Sequence, residues 1–142
     1  LAGVNTPARA RGGGAAFCYM AAPGGAAAAR AAGTTRAVAA MGHAAAAHPG
    51  AVFAVGNAPT ALFALCDAME RGDFRPALVI GVPVGFVNVV ESKERLMEVC
   101  QRLGVPAIAA MGRKGGSSVA AAICNALLYT AAGQLDPAAR GW

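Results

Sequence analysis

Between Gly112 and Ser118 the chain reads Gly-Arg-Lys-Gly-Gly-Ser-Ser, directly ahead of an apolar stretch with helical spacing. Successive glycines before a helix let backbone N–H groups converge on one spot, and the helix N-terminus adds positive potential. Arg113 and Lys114 add cationic donors that suit a carboxylate or a phosphate. The segment is not a nucleoside-triphosphate loop, because its lysine precedes the glycines and no Gly-Lys-Ser/Thr ending follows. The competing reading is a glycine-rich turn with two solvated charges.

Two further segments carry unusual residue choices. Gly56-Asn57-Ala58-Pro59-Thr60 combines a sharp turn, a residue able to cap a helix and a proline suited to the first helical turn. Asn57 and Thr60 are also candidates to hydrogen-bond a ligand, and composition leaves the two readings level. Pro83-Val84-Gly85-Phe86-Val87-Asn88 is apolar where a loop is ordinarily polar. Such a loop packs against a flat hydrophobic ligand or against a partner subunit. Lys93, two residues beyond Glu91, reaches a ligand or is simply solvated. His43 and His48, the only histidines, have no acidic residue near in sequence, which favours helix-end residues over a catalytic role. No Ser-His-Asp order and no G-x-G-x-x-G is present.

Each of these three segments follows an apolar run. Ala51–Val55, Ala77–Val82 and Ala107–Met111 read as strands buried on both faces. Helices are expected from about Ala58, from about Val90 to Leu103 with Glu91–Arg95 and Glu98–Arg102 as i,i+4 pairs, and from about Ser117 to Ala132. The last is apolar nearly all round and is expected to be well buried. Three strand–loop–helix units predict a three-layer α/β/α fold with a mainly parallel sheet and right-handed crossovers. The three loops then leave the carboxyl ends of the strands, the edge at which ligands bind in open α/β sheets.

Upstream the signal is weaker. Residues 1–16 read as a loop, Phe17–Met20 as a short strand, and the stretch 21–47, with 15 alanines in 27 residues, as two helices parted near Gly33 and restarting at Thr34. The 142 residues are taken as one domain. The apolar fraction of 56% includes 38 alanines, so the core depends on the larger side chains. No apolar run is long enough for a membrane span. The +5 net charge comes without the aromatic-interleaved basic clusters of a nucleic-acid surface, which points to an anionic small molecule. Cys18, Cys66, Cys100 and Cys124 lack metal-ligand spacing and read as reduced cysteines of a cytoplasmic protein; no metal site is expected.

The runs Gly56–Phe63, Gly81–Val87, Glu91-Ser92-Lys93 and Gly112–Ser117, with Gly33-Thr34-Thr35-Arg36 upstream, resemble the precorrin-8X methylmutase family. The resemblance is continuous from Val52 to Ala132 and covers the C-terminal two-thirds of the family pattern. It implies an isomerase of cobalamin biosynthesis, without a redox cofactor, that moves a methyl group from ring carbon 11 to ring carbon 12 and gives hydrogenobyrinic acid or its cobalt equivalent. It implies a homodimer and a corrinoid substrate bearing many carboxylates, with Arg36, Asn57, Thr60, Gly85, Lys93, Arg113, Lys114 and Ser117 lining the site. The family's proton-transferring histidine lies in an N-terminal element that neither His43 nor His48 matches. Missing N-terminal elements of the fold are expected with it. A non-catalytic corrinoid-binding module and a generic α/β anion-binding domain are the rival readings.

Overall fold

The computed structural model describes residues 3–4, 15–20, 23–133, 136 and 138. Most of the expected loop over 1–16, with Arg9 and Arg11, lies outside the described residues. Helices α1 (Gly25–Ala31) and α2 (Arg36–Ala47) precede β1 (Val52–Val55), α3 (Pro59–Glu70), β2 (Leu78–Gly81), α4 (Val89–Leu103), β3 (Ala107–Ala109) and α5 (Ser117–Ala131). The three strands form a parallel sheet in the order β1-β2-β3, with Phe53 opposite Val79 and Ile80 opposite Ile108.

Strand alternation sends Phe53, Val55, Val79 and Ala107 to one face. There they meet Leu62, Leu65 and Cys66 of α3, and Leu96, Val99 and Cys100 of α4, in the larger core. Ile80 and Val82 point the other way and meet Ala120, Val119 and Ile123 of α5 in a smaller one. The chain thus lays α3 and α4 on one face and then crosses the top of the sheet to place α5 on the other. That crossing brings the three strand-end loops to one edge.

Gly81 shows how tightly the larger layer is packed. A Cβ there would lie 2.5 Å from Leu96 Cδ2 and 3.2 Å from Leu62 Cδ2. G81A is therefore expected to cost about 1–3 kcal/mol through overpacking, read as a lowered urea midpoint with an unchanged slope. Burial pushes the Cys66 thiol up to about 12, and burial raises Cys100 and Cys124 as well. In the native state a thiol reagent at pH 8 is expected to modify exposed Cys18 quickly and to spare Cys66 and Cys100 until the chain unfolds. Because the native chain keeps a proton on Cys66 that the unfolded chain releases near pH 9, stability falls as pH rises from 9 toward 12.

Four expectations change. Residues 15–20 form no strand; Phe17 and Tyr19 instead stack on His48, and the Tyr19 hydroxyl lies 2.8 Å from His48 Nε2. The cap of α2 is Thr35, not Thr34: its hydroxyl accepts from the Val38 amide at 3.2 Å. Arg95 and Arg102 reach across to α3, where Arg95 pairs with Asp67 and Glu70, and Arg102 with Glu70. The packing of α4 beside α3 offers these carboxylates in place of Glu91 and Glu98. Finally, α5 buries only Ala120 and Tyr129, because among the described residues no second helix packs beside it on its face of the sheet. Val52 stays half exposed on that face, at 51%.

Candidate functional site

All three strand-end loops meet. The loop after β3 passes over the carboxyl end of β2, where the Gly116 amide donates to Val82 O at 2.8 Å and the Gly85 amide to Arg113 O at 3.4 Å. The loop after β1 abuts the start of α5: a Cβ on Gly56 would come 2.8 Å from Ser117 Cα. Gly115 and Gly116, at φ +155° and +122°, permit the close crossing. The glycines therefore serve backbone packing first. The Gly116 amide is spent on β2, and the N–H groups left for a ligand are those of the first turn of α5, which has no side-chain cap.

On this frame Arg113 and Lys114 are exposed, and the Arg113 guanidinium lies over the Phe86 ring at 5.4 Å. Phe86 is 79% and Val87 80% exposed, an unusual cost for large apolar side chains unless something covers them. Asn57 is exposed, and α3 takes no side-chain cap, so the Asn57 amide is not spent there. Pro59 occupies the first turn of α3. Thr60 Oγ1 lies 3.4 Å from Thr35 Oγ1, which brings the start of α2 to the same edge. Arg36, the first residue of α2, donates to Met20 O at 2.7 Å and remains exposed. Arg36, Asn57, Thr60, Gly85, Arg113, Lys114 and Ser117 thus share one end of the sheet.

Lys93 is placed differently from an open ligand contact. It is 0% exposed, and its Nζ donates to Gly112 O at 2.8 Å and to Lys114 O at 2.7 Å. Burial lowers its pKa from the usual lysine value. The signal for burial is in the sequence: Val89, Ser92, Lys93, Leu96, Val99 and Cys100 form one helical stripe, all buried. The Phe86–Arg113 stacking has no comparable sequence signal, because it depends on two loops meeting.

His43 and His48 lie toward the far end of α2 from Thr35. At about 1.5 Å per residue His43 lies about 12 Å and His48 about 20 Å along the helix axis from Thr35, away from the edge that Thr35 and Thr60 mark. Two clefts also lie elsewhere. One is lined by Val38, Met41, Ala45, Leu65 and Arg71, and the other by Met69, Phe74, Arg75, Leu103 and Val105. Among the described residues no cluster of three His, Cys, Asp or Glu can hold a metal, and no helix is long and apolar enough to cross a membrane.

Comparison with known proteins adds to this geometry. The family model for precorrin-8X methylmutase matches residues 1–130, further toward the N-terminus than the motifs alone reach. The cobalt-precorrin-8 methylmutase of Synechocystis sp. is 50% identical over 99 residues, covering 70% of this chain and 44% of that protein. The cobalt-precorrin-8 methylmutase of Salmonella typhimurium is 47% identical over 130 residues, covering 91% of this chain and 58% of that protein. The crystal structure of the precorrin-8x methyl mutase from Thermus thermophilus superposes with a TM-score of 0.81 at 44% identity, over 96% of this chain and 64% of that one. The chain thus spans less than two thirds of the length of each of these relatives.

Proposed function

Since the chain belongs to the precorrin-8X methylmutase family, we propose that its strand-end edge is the corrinoid cradle of an isomerase of cobalamin biosynthesis. The reaction moves a methyl group from ring carbon 11 to ring carbon 12 of the macrocycle. The observation that carries this reading is the juxtaposition of exposed cations with an exposed apolar loop, Arg113 over Phe86 with Lys114 beside it. A corrinoid is a flat apolar ring fringed with carboxylates, and few other ligands need both surfaces together.

In this reading Val84, Gly85 and Phe86 face the ring, and Arg113, Lys114 and Arg36 hold carboxylates through charge-assisted hydrogen bonds. Asn57, Thr60 and Ser117 meet polar side-chain or ring groups. A methyl shift within one molecule asks the protein to fix the shape of the ring, to stabilise shifted charge and to deliver a proton. The cradle supplies the first two. Proton delivery is not assigned to His43 or His48, whose distance from the edge argues against it. A homodimer and a cytoplasmic setting belong to the same reading; the exposure of Val52 and Leu127 among the described residues supports a second copy.

A visible-absorbance titration separates the readings. Hydrogenobyrinic acid is expected to shift its corrinoid bands on mixing with the chain, with saturation at one ring per site and no competition from nucleotides. Absence of any shift, together with tight nucleotide binding, would leave a generic anion-binding domain. Binding by the protein without turnover of precorrin-8X would leave a non-catalytic corrinoid binder.

A further inference from the structure

We propose that Lys93 is a positioning residue, a buried clamp that sets the path of the loop after β3 and so aims Arg113 and Lys114 without touching the ligand. The two carbonyls it holds, Gly112 O and Lys114 O, flank Arg113 on either side. Fixing both fixes the backbone from which the Arg113 side chain leaves. No carboxylate within ion-pairing reach shares its charge among the described residues, where the ion pairs run to Arg71, Arg95 and Arg102.

A fully buried ammonium without a counter-charge is costly and persists only where its donors are well used. Here they are used on the one loop that also crosses β2 through the Gly116–Val82 hydrogen bond. The loop is therefore tied by Lys93 at Gly112 and Lys114, by the Gly85 amide at Arg113 and by the Val82 carbonyl at Gly116. Ser92 completes the local structure, with its buried hydroxyl donating to Val89 O at 2.8 Å. The lysine suits this task because a single compact donor group sits at the end of a slim apolar stem that packs within the buried stripe of α4. The clamp rests on geometry alone, and its bearing on carboxylate recognition rests on the corrinoid reading above.

The test combines amide hydrogen exchange without ligand and a corrinoid titration, on wild type, K93M, the double variant R113A/K114A and the triple variant. The Gly116 and Gly85 amides, bonded across the loops, report the clamp. In K93M these two amides are expected to exchange at least tenfold faster while amides of α3 are unchanged, and the Kd for hydrogenobyrinic acid is expected to rise at least tenfold. Adding K93M to R113A/K114A is expected to change Kd less than twofold, because a clamp acts only through the residues it aims. Unchanged exchange at Gly116 and Gly85 overturns the proposal, and so does a full tenfold loss in the R113A/K114A background, which would make Lys93 a direct ligand contact. Where K93M does not fold, K93Q, with a polar head on a shorter stem, takes its place under the same exchange criterion. Wild type that binds no corrinoid would sink the cradle reading and leave the exchange result to decide the clamp.

Discussion

G115A is expected to displace the loop after β3 and to abolish corrinoid binding, with a stability loss of about 3 kcal/mol or more. Gly115 sits at φ +155°, where side chains are strained, and its Cα passes directly over the end of β2. A Cβ there would be pressed against the Val82 carbonyl, with Val82 C at 2.8 Å and Pro83 O at 3.0 Å. These are backbone atoms of the central strand and of the next loop, so no side-chain rotation relieves the clash. The loop must lift, and with it go the Gly116–Val82 bond and the placement of Arg113. G112A is the control: φ is +80° and nothing lies within 4 Å of a new Cβ, so only the left-handed backbone cost of roughly 1–2 kcal/mol applies. Denaturant melts with corrinoid titrations at matched folded fraction check both variants.

R113A/K114A is expected to weaken corrinoid binding by at least a hundredfold while leaving the fold intact. Both side chains are exposed, so their removal opens no cavity. A hydrogen bond to a charged group contributes about 1.5–3 kcal/mol, and losing two such contacts corresponds to about 3 kcal/mol or more. R113A alone is expected to cost more than K114A alone, because it also frees Phe86 from the guanidinium at 5.4 Å. The wild-type Kd should rise with added salt, and that dependence should flatten in the double variant. A double variant that binds as wild type does would remove the cations from the site.

The parallel sheet and its three following helices were legible because each signal was local and redundant. Buried strands were marked by continuous apolar runs, and helix starts by Pro59 and by the glycines before Ser117. The edge was legible for the same reason: once the alternation is parallel, topology alone gathers the three loops. What escaped depends on contacts between elements. Nothing local distinguishes Arg95 paired with Glu91 from Arg95 reaching Asp67 on another helix. The apolar circumference of α5 describes what the helix can bury, whereas burial is decided by how many neighbours face it. Lys93 lay on a legible apolar stripe, but its charge suggested solvent or ligand, and only the carbonyls of another loop explain its burial. Thr34 and Thr35 are equivalent as caps by composition, and the hydrogen bond to Val38 decides for Thr35.

The most direct test of the cradle is a crystal structure of the chain with hydrogenobyrinic acid. One face of the macrocycle should rest on Val84 and Phe86, with peripheral carboxylates within hydrogen-bonding distance of Arg113 and Lys114 and the Lys93 ammonium still on Gly112 O and Lys114 O. A ring bound in the cleft between α2 and α3, or at the end of the sheet where His48 lies, would contradict it.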